Sequence, residues 1–326
     1  MGRKTGAFET VVSRDPAVFA PESLRGFDAV FLNNTVGNLF EDPALRRSLV
    51  EFVLGGGGLM GVHGTSVAFT RWPGAHEDWP EFGRMLGARG AAHMPGNGEE
   101  LAVLKLDDPD HPLSRPFGGK GFQHRSEFFR FGDPFSRNRV RVLVSLDNAA
   151  SEKLQGAPLR EFRKDGDYAV AWVRSYGRGR VVYCSLAHHP DPFWDPTLLK
   201  FYLGAAQFAL GDLPAPTIPS ARLTPAIRAQ EKLGWRLGVE AYTFHKFTLF
   251  EAAEKTSRLG LPFLGGLSFQ KVGPALPKNL DPNLSDDEIR DVRLKLDDEG
   301  VRMLTYYIGD IPGDEAGCRR VFEFGR

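Results

Sequence analysis

The chain has 326 residues, of which 42% are hydrophobic and 25% charged, proportions typical of globular proteins with one large or two ordinary domains. Lysine plus arginine and aspartate plus glutamate both number 41, so the formal net charge is zero, and no dense basic run could follow a phosphate backbone. No apolar run approaches the roughly 18 residues of a membrane span. The composition therefore predicts no nucleic-acid partner and no membrane partner.

The N-terminal residues carry two expectations. "MGRKTGAFETVV" lacks the apolar core of a signal peptide, which favours a cytoplasmic protein. The stretch "AFETVVSRD", which begins at Ala7, has the pattern of an interior strand. We therefore expect a first strand, and any leader before it, to be missing from this N-terminus.

Residues 27–63 have the pattern of a strand, a helix and a second strand. The run "FDAVFLNN" is apolar up to its polar end, as expected of a central parallel strand covered on both faces. Asp42 and Pro43 predict the start of a helix, which four glycines end after Leu54. The run "LMGVH" is the next predicted strand, so His63 falls at its C-terminal end, where open α/β sheets bind their ligands.

Further elements complete a predicted first domain. "RVRVLVSLD", from Arg139, is a predicted strand, and "YAVAWVRSYGRGRVVYCSLAHH" predicts a β-hairpin that turns at residues 177–179 and ends in histidine. Asp195 begins a helix that closes the domain near Gly211. Residues 212–233 contain four prolines and no apolar periodicity, which indicates an extended linker.

The remaining residues, 234–326, repeat strand and helix. The predicted strands are "RLGVEAYTF", "LPFLGGLSF" and "VRMLTYYI", and the predicted helices between them are "LFEAAEKTSRLG" and "SDDEIRDVRLKLDDEG". Ser285 and Glu288 form a capping box at the start of the second helix. The pattern is β/α repetition that stops after about three units.

Glycine-rich stretches in the chain do not predict a nucleotide site. Gly56, Gly58 and Gly61 match G-x-G-x-x-G, but the dinucleotide fingerprint requires a strand before the glycines and a helix after them. Here the order is reversed, so we expect these glycines to end a helix and lead into a strand. "GGKGF", around Lys120, lacks the serine or threonine that follows a P-loop lysine. "HEDWP", at His76, lacks the second histidine of H-E-x-x-H.

Polar residues at the ends of predicted elements are candidates for chemistry: His63, His93, Glu127, His188 and His189. A lone histidine at a strand end is more often a hydrogen-bonded ring than a ligand. Several that converge on one sheet edge are harder to explain in that way. Imidazoles with a carboxylate suit zinc, manganese or iron and leave a position open for water. His111 lies among turn residues, so we expect a structural role for it.

Six segments resemble, in order, the ThuA-like (trehalose utilisation) domain: "FDAVFLNNTVG", "FVLGGGGLMGVHGTS", "AAHMPGN", "LDDPDHPLSRPF", "SEFFRF" and "WVRSYGRGRVVYCSLAHHPDPFWDPTLLKFYLGAAQFALG". The resemblance covers about residues 7–211. It implies a flavodoxin-like, doubly wound parallel sheet related to class I glutamine amidotransferases. It also implies a role in the catabolism of trehalose and other carbohydrates.

The motifs of that family point to residues already singled out. Its G-x-H-G turn places His63 where amidotransferases have a nucleophilic cysteine, and its Leu-Gly-His segment matches His188. Its Gly-His-Pro-Pro segment matches His93, and its Glu-Trp/Tyr segment matches Glu127. Three flanking residues depart from the pattern and alter loop shape: Ala92, Met94 and Ala187.

The resemblance implies a carbohydrate-processing enzyme that acts on a sugar hydroxyl or carbonyl with the help of a divalent metal. His63, His93 and His188 would hold the metal or polarise the sugar, with His63 also catalytic, and Glu127 would move a proton. His189 and Trp194 would contact the sugar, whereas Trp172 fits the core better. The sequence leaves open whether the chain forms a homo-oligomer.

Two other functions remain as alternatives. The first is a non-catalytic carbohydrate-binding or docking module, whose histidines would only order loops. The second is a glutamine amidotransferase. It is disfavoured because His63 cannot replace a thiolate nucleophile and Cys184 falls within a predicted strand rather than at an elbow. Cys184 and Cys318 are the two cysteines of the chain, and they form neither a disulfide framework nor a CxxC metal site.

Residues 234–326, which begin "GWRLGVEAYTFHKF", are similar to the start of xylose-isomerase-like TIM barrels, the sugar phosphate isomerase/epimerase group. A closed barrel needs eight β/α units, and only about three fit here. Gly265 stands near the place where that group often has a glutamate. The expected organisation is a ThuA-like domain (1–211), a linker (212–233) and an incomplete barrel (234–326) without isomerase activity.

Overall fold

The computed structural model of the chain describes residues 2–72, 75–93, 98–159 and 161–325. Met94, one of the departures from the family pattern, lies outside the described residues. The chain divides into two compact units, Met1–Ser220 and Ala221–Arg326. None of the helices in the described residues is long and apolar enough to cross a membrane.

The first unit is an α/β structure, as predicted. Its strands are β1 (Ala29–Asn33), β2 (Gly58–Val62), β3 (Arg89–Ala92), β4 (Glu99–Leu106), β5 (Phe122–Glu127), β6 (Arg130–Gly132), β7 (Arg141–Leu146), β8 (Ala169–Tyr176) and β9 (Gly179–Cys184). Seven of them form one sheet in the order β1-β2-β9-β8-β7-β4-β5, and β3 pairs with β6.

The large sheet is mixed, which corrects the prediction of a parallel sheet. Strands β1, β2 and β9 are parallel neighbours, consistent with a flavodoxin-like arrangement. The pairs from β9 to β5 are antiparallel. The hairpin of β8 and β9 begins this reversal, because strands joined by a tight turn must run in opposite directions.

Six helices belong to the described part of the first unit. They are α1 (Gly2–Thr5), α2 (Pro21–Leu24), α3 (Pro43–Leu54), α4 (Pro80–Leu86), α5 (Asn148–Gln155) and α6 (Pro196–Leu210), with 3₁₀ turns at Pro16–Phe19, His63–Val67, Pro112–Phe117 and Asp191–Trp194. The predicted ends of two of them, α3 and α6, are confirmed. Asp42 and Asp195 cap α3 and α6 through their side-chain oxygens. Gly211 ends α6 with a φ of 97°.

Strand β1 lies at the edge of the sheet, not at its centre as predicted. Phe31 of β1 is accordingly 46% exposed. Residues 8–15, part of the predicted interior strand, form neither strand nor helix, and Val11 and Val12 are 70% and 87% exposed. The prediction failed because an apolar run forms a strand only where a neighbouring strand accepts its backbone hydrogen bonds.

The glycines after α3 join a helix to a strand, in the order expected. Gly56 has a φ of 120°, a conformation that side chains other than glycine rarely adopt. A Cβ atom on Gly58 would lie 2.1 Å from the carbonyl oxygen of Ala209 in α6. These glycines therefore allow a tight turn and a close approach of helix and strand.

Trp172 has the core role that its strand predicts. Its ring is fully buried and stacks on Tyr183, with the ring centroids 4.4 Å apart. Its Nε1 donates a 2.9 Å hydrogen bond to the carbonyl of Leu86. It cannot stack on a sugar, because both ring faces and the polar tip are enclosed by protein.

His111 is a structural histidine, as expected from its turn. Its Nδ1 accepts a hydrogen bond from the amide of Leu113, and its Nε2 lies 3.0 Å from the carbonyl oxygen of Pro216. Burial, and then the positive charge of Arg141, lower the pKa of His111 to about 4. The ring is therefore neutral in the folded protein at neutral and mildly acidic pH.

We expect the free energy of unfolding to fall as the pH falls from about 6.5 to about 4, because the unfolded chain then binds a proton at His111 that the folded chain refuses. A His111 pKa lowered from 6.5 to about 4 corresponds to a loss of roughly 3 kcal/mol in the free energy of unfolding. Urea unfolding at several pH values, followed by circular dichroism, measures it. His111→Gln should flatten the dependence, whereas the surface variant His76→Gln should not. Parallel curves for wild type and His111→Gln would contradict this.

The second unit contains a three-stranded parallel sheet in the order β10-β11-β12. Its elements are α7 (Pro225–Leu233), β10 (Gly238–Glu240), a 3₁₀ turn at Ala241–Phe244, α8 (Leu249–Arg258), β11 (Phe263–Leu267), α9 (Asp286–Asp298), β12 (Arg302–Tyr307) and α10 (Glu315–Gly325). The capping box of Ser285 and Glu288 is confirmed. That this unit is part of a barrel stays a prediction.

Residues 212–233 do not form the fully extended linker that was predicted. Helix α7 occupies its second half, capped by Thr224 and with the side chain of Ile227 buried. Pro225, one of the four prolines that predict an extended segment, is the first residue of this helix, where its missing N–H costs nothing. One buried apolar side chain was too little periodicity to reveal the helix from sequence.

Candidate functional site

His63 directly follows β2 and is almost completely buried. Its φ of 44° lies in the left-handed region, which is uncommon for residues other than glycine and occurs often at functional sites. The carbonyl oxygen of His63 accepts hydrogen bonds from Tyr183 Oη (2.7 Å) and Ser66 Oγ (3.2 Å). These contacts hold the backbone in the strained conformation and so aim the imidazole.

Asn34, which follows β1, sets the proton position on the His63 ring. Its Oδ1 accepts a hydrogen bond from the amide of Gly64 and lies 2.9 Å from His63 Nδ1. Its Nδ2 donates to the carbonyl of His188 at 3.3 Å. Because an amide oxygen can only accept, Nδ1 of His63 must carry a hydrogen, and Nε2 is the atom turned toward Glu127.

Glu127 lies at the centre of three imidazoles. Its Oε2 is 3.1 Å from His63 Nε2 and 3.9 Å from His188 Nε2, and its Oε1 is 3.4 Å from His93 Nδ1. The rings of His63 and His188 stack with centroids 4.6 Å apart. The structure thus brings together four of the five residues singled out from sequence, His63, His93, Glu127 and His188, which we name the histidine–glutamate cluster.

The curvature of the large sheet creates this cluster. His63 and His188 follow adjacent strands, β2 and β9, but Glu127 ends β5, five positions away from β2 in the sheet order. In a flat sheet five spacings of about 4.8 Å would separate the two strands by roughly 24 Å. A carboxylate 3.1 Å from the His63 ring therefore requires a sheet that curls back on itself.

The electrostatics of the cluster favour an ionised carboxylate. Burial opposes the charge of Glu127, but its contact with His63 and the nearby His93 and His188 rings lower the Glu127 pKa below its ordinary value. Burial, together with the His63 ring, also lowers the pKa of His188. At neutral pH the site therefore offers a carboxylate that accepts protons and an uncharged His188 ring.

Two aromatic residues that the sequence did not single out line the cluster. The Phe129 ring packs against His63 and His93 with centroids 4.9 and 5.9 Å apart. Trp72 packs against both Phe129 and His93, at 5.6 and 5.5 Å. Trp72 is only partly buried and is better placed than Trp172 to stack on a ligand.

One set of atoms in the cluster has the spacing of metal ligands. Ligand atoms of His63, Glu127 and His188 lie within 4.8 Å of one another, and the set contains Glu127 in place of the predicted His93. The buried Nε2 of His63 and Nδ1 of His188 make no hydrogen bond of good geometry among the described residues. Two imidazole nitrogens and a carboxylate oxygen suit a borderline divalent cation.

Of the predicted sugar contacts, His189 packs against the cluster, whereas Trp194 lies at the end of the 3₁₀ turn Asp191–Trp194. His189 Nε2 is 2.7 Å from Glu99 Oε1, and its ring packs on His188 with centroids 4.4 Å apart. Trp194 is 66% exposed, with the ammonium of Lys4 4.6 Å from its ring centroid. A role of either residue in binding sugar stays a prediction.

Cys184 has no features of a nucleophile. It is buried in β9, and Tyr202 Oη donates a hydrogen bond to its sulfur at 3.3 Å. Burial raises the pKa of the Cys184 thiol to about 12, which suppresses the reactive thiolate. This environment argues against glutamine amidotransferase chemistry at Cys184.

Residues 1–209 match the sequence profile of the ThuA family, described as trehalose utilisation. Among solved structures, a protein described as ThuA-like from Bacteroides uniformis is 21% identical, with a TM-score of 0.47 over 60% of this chain and 75% of the other. A protein described in the same way from Parabacteroides merdae is 17% identical, with a TM-score of 0.47 over 67% and 89%. No curated protein matches this chain.

Proposed function

Because this chain belongs to the ThuA family, whose description is trehalose utilisation, we propose that its first unit is an enzyme that acts on a hydroxyl or carbonyl of trehalose or a related sugar. The observation that carries the proposal is the carboxylate of Glu127 among three imidazoles. A buried base held by ring nitrogens suits proton transfer at a sugar oxygen or at the carbon beside a carbonyl. Perturbed carboxylates of this kind cluster at functional sites.

In this proposal Glu127 is the general base. Burial alone would raise the pKa of Glu127, but the three imidazoles lower it, so the carboxylate is ionised at neutral pH although it is largely enclosed. It can accept a proton from a sugar hydroxyl and return it later in the reaction. Asn34 is a positioning residue that fixes the tautomer of His63. Phe129 and Trp72 exclude water from one side of the rings, and the partly exposed Trp72 offers a face to the sugar.

The residues that would hold a divalent metal are His63, His188 and Glu127, whose Oε2 faces both of those rings. The Oε1 of Glu127, beside His93, would then be the oxygen that accepts the proton. The Nδ1 of His63 carries its hydrogen toward Asn34, so Nε2 presents its lone pair to Oε2 of Glu127, 3.1 Å away. A lone pair and a carboxylate repel each other unless a proton or a metal cation is bound with them. A bound divalent metal would supply Lewis-acid polarisation of a sugar oxygen. Zinc, manganese and iron fit the donor set.

The second candidate is a carbohydrate-binding module without turnover, which the surface position of Trp194 favours. Incubation of the protein with trehalose and related sugars, followed by NMR of the sugar, separates the two functions. An enzyme changes the sugar spectrum with time and in proportion to protein concentration. A module shows heat of binding in calorimetry and an unchanged sugar, and this result would replace our proposal.

A further inference from the structure

The first unit contains a cavity of about 360 Å³ beside the histidine–glutamate cluster. Its wall comes from Glu99 at the start of β4, from the second half of β5, and from the segment 189–198 that leads into α6. Pockets for small molecules generally enclose roughly 300–1,000 Å³. The cavity is therefore large enough for one small ligand or for part of a larger one.

Stacked imidazoles connect the cavity to the proposed base. His189 lines the cavity and packs on His188, whose ring stacks on His63 beside Glu127. Glu99, also in the wall, lies opposite Glu127 in the register of the antiparallel strands β4 and β5. A substrate that reacts at Glu127 thus has an adjoining space for its non-reacting part.

The wall carries hydrogen-bonding groups of both kinds. Three carboxylates, those of Glu99, Asp191 and Asp195, line the cavity, and Arg125 supplies guanidinium donors. The Glu99 carboxylate also contacts His189, and Asp195 Oδ1 also accepts the capping hydrogen bonds of α6. His124 adds a buried Nε2 without a hydrogen-bond partner among the described residues. Sugar hydroxyls both donate and accept, so a polyhydroxyl ligand can satisfy acceptors and donors together.

Apolar wall residues complete the match to a sugar ring. Pro192 and Leu198 line the same cavity, and such side chains contact the C–H groups of a ring while its hydroxyls reach the polar groups. A mixed wall of this composition fits a carbohydrate better than it fits an entirely apolar ligand.

The charge of the wall then selects between kinds of sugar. The wall contains three carboxylates and one guanidinium, so its acidic groups outnumber its single arginine and repel a phosphate dianion. We infer that this cavity binds the non-reacting part of an uncharged polyhydroxyl sugar and rejects the phosphate ester of the same sugar. The inference rests on the proposed function, since it names the substrate class of that site.

Calorimetry with trehalose and trehalose 6-phosphate tests the inference. The titrated protein is the Glu127→Gln variant, which keeps the cavity wall intact and does not consume the sugar. Because charges separated by a few ångströms repel strongly near a protein surface, we expect trehalose to bind at least about tenfold more tightly than its phosphate. Equal affinities, or no binding of trehalose, would overturn the inference.

A charge reversal provides the matched comparison. Asp191→Lys, on the exposed first turn of the 3₁₀ helix, should raise the affinity for trehalose 6-phosphate at least about tenfold by replacing repulsion with attraction. Asp110→Lys makes the same change in charge beyond the other end of β4 and should leave the affinity ratio unaltered. The same effect from both variants would overturn the inference.

Failure of the inference can be told apart from failure of the proposed function. If Glu127→Gln turns over sugar as fast as the wild type, Glu127 is not the base. The ratio of the affinities for trehalose and trehalose 6-phosphate still shows whether the cavity rejects the phosphate. If turnover needs Glu127 and the phosphate binds as well as the free sugar, the inference falls and the proposed function stands.

Discussion

We expect Glu127→Gln to lower the turnover of the sugar substrate by about 10²- to 10⁴-fold, the contribution typical of a positioned general base. The amide keeps the shape of the carboxylate and cannot accept a proton. His63, His93 and His188, which now lie 3.1–3.9 Å from the carboxylate oxygens, would still enclose the side chain. Steady-state kinetics with the sugar identified by NMR measures the effect.

The control for this variant is Glu51→Gln, which makes the same change on the exposed surface of α3. It should keep wild-type turnover, and both variants should unfold within a few degrees of the wild type. If Glu127→Gln and Glu51→Gln have the same turnover as the wild type, Glu127 plays no part in the reaction.

The second large effect concerns stability. The buried side chains of Arg130 and Glu100 form an ion pair with 2.7 Å between Nη2 and Oε1, and Arg130 also lies over the Tyr168 ring at 5.0 Å. We expect Glu100→Gln to lower the free energy of unfolding by about 3–5 kcal/mol, because it removes the carboxylate that balances a buried guanidinium. Urea unfolding with linear extrapolation measures the loss.

Two comparisons show whether the buried charge causes this loss. Asp165→Asn breaks the exposed pair with Arg163 and should cost about 1 kcal/mol or less. Adding Arg130→Met to Glu100→Gln should restore much of the stability, since the uncompensated charge is then gone. A double variant as unstable as the sum of the two single variants would show that the two charges are independent.

Local patterns predicted the elements of the fold well where they depend on neighbours in sequence. The caps at Asp42 and Asp195, the glycine stop after α3 and the hairpin of β8 and β9 all formed as expected. His63 and His188 were found because each follows an apolar strand. Strand order was not accessible in the same way, since hydrophobic periodicity does not say which strands pair.

The parts of the site that were missed depend on this long-range order. Asn34 follows a strand whose position beside β2 decides its contact with His63. Phe129 and Trp72 lie 57 residues apart in sequence and meet only because the sheet curls. Glu127 was predicted as a polar residue at the end of an element, and the family resemblance points to the same residue, but its contact with His63 depends on the order of the strands.

In our proposal, the residues of the histidine–glutamate cluster act together as one metal-binding site. Elemental analysis of the purified wild type, His188→Gln and the surface variant His76→Gln, after dialysis at neutral pH, is the most direct measurement. We predict about one divalent metal ion per chain in the wild type and in His76→Gln, and little in His188→Gln, because His188 belongs to the ligand set with His63 and Glu127. Equal metal content in all three proteins, or none in the wild type, would contradict the metal-binding role that we propose for the cluster.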